Sequence, residues 1–180
     1  MADSSKLIPF ILSWETDKYT NNKYDKGGHT KWGITLATWR KVGYDKNGDG
    51  KINEQDVKLL TRTDFERVFK KNYWDACKAD LINDQNIANM LVDFAYNSGV
   101  NRAIKYLQSI VGGKADGIVG QQTLANINNY RLGQRTLFDE LKKARENYLR
   151  RIAVGSQKAN LKGWLRRVSY ITYGNLRLNR

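Results

Sequence analysis

Residues 8–35, IPFILSWETDKYTNNKYDKGGHTKWGIT, decide how the chain is read. They open as an apolar helix and then break into a polar loop holding Asp25, Gly27, Gly28 and Thr30. Leu7, Ile8, Ile11 and Leu12 make an apolar stripe at helical spacing. Asp3, Ser4 and Ser5 stand upstream as caps, and Pro9 falls in or near the first turn, where a missing N–H costs least. Glu15 comes four residues after Ile11 and eight after Leu7, so it shares their face. A carboxyl at the end of a buried stripe loses water, which raises its pKa and suits it to donate a proton near neutrality. The competing reading ends the helix at Trp14 and turns Glu15 to solvent, and pattern alone leaves both open. Residues 16–35 read as a short hairpin or an irregular loop, and 34–42 as a short helix capped by Thr35.

Composition narrows the chemistry around that stretch. A length of 180 residues fits one domain, or two tightly packed halves, with a real core. Lys and Arg outnumber Asp and Glu by 31 to 18, and the charge of +13 attracts polyanions such as nucleic acid, anionic lipid and wall polymers. Ten Tyr and five Trp offer rings that can stack on sugars, although most will be core. A single cysteine, Cys77, rules out an intramolecular disulfide and reads as a buried thiol. A single histidine, His29, leaves too few ligands for a catalytic zinc site and would have to serve any nucleophile–histidine scheme. No phosphate-binding or dinucleotide glycine signature appears. What remains is carboxylate chemistry. The N-terminus lacks the features of a signal peptide, and no apolar run reaches the ~18–20 residues of a membrane span.

Residues 45–56, DKNGDGKINEQD, match an EF-hand calcium loop. Asp45, Asn47 and Asp49 take positions 1, 3 and 5, Gly50 the turn, Lys51 the carbonyl at 7, Asn53 position 9 and Asp56 position 12. Asp in place of the usual Glu at the last position shortens the arm. A lone loop is a structural clamp rather than a sensor; an ion-free Asx–Gly turn is the alternative.

Helical periodicity continues through the rest of the chain. Residues 59–74 read as a helix with Thr63 and Glu66 as a capping box and Phe65, Val68, Phe69 and Tyr73 inward. Further helices are expected at 86–98 (ending at Gly99), 101–111, 123–127 and 135–153, and a last one carries Trp164, Leu165, Val168 and Ile171. Little reads as strand, so the class is mainly α.

The opening stretch also resembles a known family. ILSWE followed by YDKGGHTKWGIT is similar to the signature of the glycoside hydrolase 108 lysozymes, an apolar helix ending in Glu and then D-x-G-G-x-T-x-x-G-I-T. Asp93–Gly99 (DFAYNSG), Ala103–Gln108 (AIKYLQ) and Asp116–Gly120 (DGIVG) with Thr123 resemble the family's companion peptidoglycan-binding region. The resemblance implies a lysozyme-like, mostly helical fold, with a short hairpin or loop near the active site. It implies cleavage of the peptidoglycan glycan in the manner of an N-acetylmuramidase, with Glu15 as the catalytic residue. Thr16-Asp17-Lys18-Tyr19 departs from the family's Gly-Gly-Tyr after the Glu and is one residue longer.

The sequence therefore sets these expectations. Residues 1–92 form a catalytic half and 93–180 a helical wall-binding half, packed as one unit. Glu15 protonates the leaving oxygen. Asp25, ten residues on, is the second carboxylate, with Asp17 behind it. Thr30 lies near substrate or Glu15, and Asn97 lines the cleft or caps a helix. No cofactor is needed for catalysis, and Ca2+ at 45–56 is structural. The partner is peptidoglycan, with no nucleic acid; the chain is a monomer, made without a leader and reaching the wall by another route, as a phage endolysin or a bacterial secretion-linked enzyme would. The rival readings are a non-enzymatic wall-binding module, a basic nucleic-acid binder and a calcium-dependent regulator.

Overall fold

The computed structural model describes residues 1–22 and 28–179. Among these are nine α-helices, one of them central and buried, with a small three-stranded meander on one side. The central helix is α5 (Gln85–Ser98). Its residues from Ile87 to Ala95 are all buried, as expected of a helix enclosed on every face. Asp84 caps it, its side chain accepting from the N–H of Asn86 at 2.7 Å and of Ile87 at 3.2 Å. Gly99, at φ +94°, ends it where a side chain would be strained. The helices α6 (Val100–Val111) and α8 (Gln134–Ile152) pack against α5, and α9 (Leu161–Ser169) packs on α8. The boundary drawn after residue 92 runs through the middle of α5.

On the N-terminal side, a 3-10 turn (Ser4–Lys6) capped by Asp3 leads into α1 (Ile8–Leu12). Strands β1 (Thr20–Asn22), β2 (Gly28–Lys31) and β3 (Ile34–Thr35) form the antiparallel meander. Thr30 pairs with Thr20 on one side and Thr35 on the other. The turn from β2 to β3 has only Trp32 and Gly33 between paired residues, at φ +54° and +68°. Positive φ at both positions is what a two-residue hairpin needs to match strand twist. Glycine accepts it freely; Trp32 holds it at a cost of about 1–3 kcal/mol that the surroundings must offset. Thr35 then caps α2 (Leu36–Val42), accepting from the N–H of Thr38.

Three sequence expectations are corrected. The helix read at 59–74 is split. Leu59 ends α3 (Glu54–Lys58), and α4 (Arg62–Phe69) is capped by Thr61 with Asp64 rather than by Thr63 with Glu66. Asp64 sets that register: it accepts from Thr61 N–H at 2.9 Å and pairs with Lys46 at 2.8 Å, while Glu66 reaches only Arg62 on the surface. The last turn, Lys70–Trp74, is a π-helix, a form seen often at functional sites. Finally, Ile171 does not belong to the last helix: α9 ends at Ser169, and β4 (Ile171–Thr172) and β5 (Asn175–Leu176) form a hairpin turning at Gly174, φ +91°. The remaining helix is α7 (Gln121–Asn128).

Candidate active site

The apolar stripe that forms α1 also delivers Glu15. Phe10 and Ile11 are fully buried, and the chain leaves the helix through tight turns, with Trp14 N–H on Ile11 O and Glu15 N–H on Leu12 O. This sets the Glu15 side chain into the wall of the core with 18% of it still exposed. Its Oε1 lies 3.4 Å from Nη1 of Arg167 on α9. The Tyr96 hydroxyl, from α5, reaches the same carboxyl. Burial pushes the Glu15 carboxyl above the usual glutamate range. Arg167 opposes the shift, Asp93 adds to it, and burial prevails.

The hairpin tip closes the other side. Gly33 sits so near that a Cβ there would lie 2.8 Å from Glu15 Oε2 and 2.3 Å from the Tyr96 hydroxyl. Positive φ and this close approach both demand glycine. Trp32 N–H bonds Thr16 O at 3.0 Å, which ties the tip to the residue after Glu15. The inserted Thr16–Tyr19 segment thus runs directly into β1.

Beneath the site stands a group of aromatic rings. Tyr96 meets Tyr73 edge-on at 5.0 Å between centroids and also touches Phe65 and Phe69. The π turn is what carries Tyr73 there. Burial raises the pKa of both tyrosines, and the Glu15 carboxyl raises it further, so both stay protonated hydroxyls.

Arg167 is itself held. Its Nε and Nη2 donate to Asp93 Oδ1 at 3.1 and 2.7 Å. The rings of Phe10, Trp14 and Tyr96 surround its guanidinium at 5.6–5.8 Å, within cation–π range. Arg145 on α8 supplies the second charge, with Nη2 2.6 Å from Asp93 Oδ2. Burial pushes the Asp93 carboxyl up, but the two guanidiniums outweigh it and hold it below the usual range. Asp93 is completely buried and both its oxygens are engaged, so it is an anchor rather than a second catalytic carboxylate.

The other expected site residues fall as follows. Asp25 lies outside the described residues, in the connection from β1 to β2. Asp17 is exposed. Thr30 is half-buried in β2, its hydroxyl donating to Gly28 O at 3.2 Å. Asn97 is exposed at the end of α5, its amide donating to Asp93 O at 2.7 Å. His29 contacts the Tyr19 hydroxyl. Cys77 is buried, and burial pushes its thiol up to about 12, so it stays protonated. Sequence reasoning missed Tyr96, Asp93, Arg145 and Arg167 as site residues. The one available signal was Asp93 itself, a charge inside the apolar run Met90–Phe94.

The 45–56 loop is built on hydrogen bonds of its own. Asp45 accepts from Gly48 and Gly50 N–H, both at 2.7 Å, and these glycines have φ +76° and +81°. Asn47 and Asn53 both direct their amides at Asp49 Oδ2, at 3.0 and 2.9 Å. Lys51 N–H donates to Asp49 Oδ1 at 2.9 Å. Asp56 is buried and accepts from the N–H of Lys46, Asn47 and Asn53, which completes the cap of α3. Among the described residues no three His, Cys, Asp or Glu side chains converge as a metal site. The loop's donors are instead a mixture of carboxylates, amides and a carbonyl, the hard oxygens that suit Ca2+.

Comparison with known proteins agrees with this architecture. The family model described as glycosyl hydrolase 108 matches residues 8–99, and the one described as "Predicted Peptidoglycan domain" matches 102–169. Among solved structures, Brucella abortus SagA is 32% identical, with 93% of this chain and 90% of that chain covered and a TM-score of 0.75. A search of curated proteins gave no match. Among the described residues no helix is long and apolar enough to cross a membrane. A glycosyl hydrolase match that spans the Glu15 site, a peptidoglycan-domain match that spans the helices carrying Arg145 and Arg167, and a related structure of the same shape place the chain in the glycosyl hydrolase 108 family, as a glycosidase acting on peptidoglycan.

Proposed function

We propose that Glu15 is the general acid of this glycosidase and that the bond it helps to break is the muramidase one, leaving N-acetylmuramic acid at the new reducing end. The observation that carries the reading is a carboxyl buried enough to favour its proton, yet open on one side. Glu15 gives its proton to the glycosidic oxygen as the bond breaks through an oxocarbenium-like state. Tyr96 and Gly33 fix the carboxyl, and Arg167 limits how far its pKa climbs. Asp25 is the second carboxylate in this reading, supported by its place in the sequence ten residues after Glu15. Thr30 on β2 and Asn97 at the end of α5 are assigned to substrate contact. Wall lysis of the endolysin type fits a charge of +13, which draws the protein to anionic wall polymers.

Mass analysis of fragments released from purified peptidoglycan tests the bond. Fragments ending in reducing N-acetylmuramic acid support the reading. Fragments ending in reducing N-acetylglucosamine overturn the bond assignment, and adsorption to the wall without release favours a binding module over an enzyme.

A second reading concerns the 45–56 loop, to which we assign a structural Ca2+. Asp45, Asn47, Asp49, the Lys51 carbonyl and Asn53 would hold the ion, with Asp56 closing the loop from α3. Supporting it are the two left-handed glycines and the gathering of Asn47 and Asn53 on Asp49. The ion would clamp α2 to α3 and take no part in the chemistry. Calorimetric titration with Ca2+ decides it, and no heat of binding removes the site.

A further inference from the structure

Beside Arg167, residues of α5, α6, α8 and α9 line a cavity of about 240 Å3. Its wall holds three guanidiniums, those of Arg102, Arg145 and Arg167, and no acidic side chain. Among the described residues Asp93 is the one carboxylate in an ion pair with Arg145, and it shares Arg167 with Glu15. Among the described residues Arg102 is in no ion pair. It donates to Ser98 O and to the Tyr148 hydroxyl, both at 2.8 Å, and lies over the Tyr148 ring. Arg145 is 2% exposed, yet its Nε–H has no acceptor among the described residues. A buried donor without a partner costs about 1–3 kcal/mol, more when charged, and is a place where a ligand acceptor is worth most. The cavity thus combines excess positive charge, an unpaired buried donor and partial enclosure.

We propose that this cavity is a carboxylate subsite that takes an acidic group of the peptide stem borne by the wall glycan. The inference rests on peptidoglycan being the substrate. Three arguments fix the ligand class. Guanidinium forks match carboxylates in a two-bond geometry. The volume lies below the roughly 300–1,000 Å3 of pockets for drug-sized ligands, so it suits a side arm rather than a length of sugar chain. Arg167 touches Glu15 with one nitrogen and lines this cavity as well, so a single side chain separates the proposed acid from the subsite. A stem peptide extends ~3.3–3.6 Å per residue, so a few residues outreach one side chain. Asn97 also lines the cavity, and Trp164 is part of its apolar wall.

The test compares two substrates, glycan with its stems and glycan stripped of them by an amidase. For each, kcat/KM is measured with wild type, Arg102→Ala and Arg102→Lys, after thermal melts show that the variants are folded. Wild type should prefer the stem-bearing glycan about tenfold, the loss of one partly exposed charge-assisted hydrogen bond. Arg102→Ala should abolish that preference, and Arg102→Lys should retain part of it. A wild-type ratio near one, or an unchanged ratio in Arg102→Ala, overturns the subsite. If wild type turns over neither glycan, the glycosidase reading falls instead. Titration of a synthetic acidic stem peptide into wild type and Arg102→Ala then decides the cavity by itself. Acetate serves as the control: equal competition by acetate and the peptide would show a small-anion site and overturn the assignment to the stem.

Discussion

Arg167 stands with Nη1 3.4 Å from Oε1 of Glu15, a contact between residues 152 positions apart that joins the last helix to the end of the first. The pairing does not leave Glu15 ionised below the usual range, because burial outweighs it. Asp93 adds to the upward shift. It takes two nitrogens of the same guanidinium and so draws part of the positive charge away from Glu15. Glu15, Arg167 and Asp93 thus form a ladder of alternating charges within which burial sets the direction of the Glu15 shift.

Substitutions on this ladder should move activity in opposite directions along the pH axis. A general acid works while it holds its proton, so activity falls as pH rises through its pKa. Asp93→Asn removes a negative charge that raises the Glu15 pKa and frees Arg167 for it. The alkaline limb of kcat should move to lower pH. Arg167→Met removes a positive charge that lowers the Glu15 pKa, and the limb should move to higher pH. Both variants break a buried ion network and should lose about 3–5 kcal/mol in urea unfolding. Limbs that shift in the same direction would remove the charge-ladder account.

Stability should follow the same groups with pH. Asp93 has a depressed pKa, so its stabilisation is whole above the ordinary aspartate range and is lost as pH falls through and below that range. Glu15 has a raised pKa, so its protonated form favours the folded state at low pH, and that gain is lost as pH rises through the raised value. Glu15→Gln removes the second effect. Its melting temperature should equal or exceed that of wild type at pH 7 and show the same acid-side fall. Melting curves across pH 3–8 check both signs.

Gly33 tests the close approach of the hairpin tip. Gly33→Ala forces a Cβ into the Tyr96 hydroxyl and the Glu15 carboxyl at a residue with φ +68°. The backbone strain alone should cost about 1–3 kcal/mol, and displacement of Glu15 should lower kcat with it. Wild-type kcat in Gly33→Ala would show that the tip does not position the acid.

The calcium assignment makes a thermodynamic prediction. At a free Ca2+ concentration 100 times Kd, unfolding should cost about 2.7 kcal/mol more than in excess chelator. Asp49→Ala should remove the difference. Equal melting temperatures with Ca2+ and chelator would refute the assignment.

Much of the scaffold is legible in the sequence because it is local. The stripes of α5, α6 and α8 and the caps at Thr35 and Gly99 depend on neighbours within a turn or two. Register between two adjacent candidate caps does not. Thr61 and Thr63 look equivalent until Lys46, 18 residues away from Asp64, selects one. The expected exchange is direct: Thr61→Ala should cost about 1 kcal/mol, and Thr63→Ala should cost little. The charge network is the least legible part. Arg145 and Arg167 look like any of the 31 basic residues, and their partner lies 74 positions from Arg167. Periodicity carries no signal for pairs that distant. The C-terminal hairpin is missed for another reason: two-residue strands are too short to show alternation.

The central claim is that Glu15 donates the proton, and the turnover of Glu15→Gln on purified peptidoglycan tests it most directly. Release of reducing ends should fall by about 10²–10⁴-fold, while far-UV circular dichroism and wall adsorption stay at wild-type levels. Wild-type release of reducing ends by a folded Glu15→Gln protein would contradict the account.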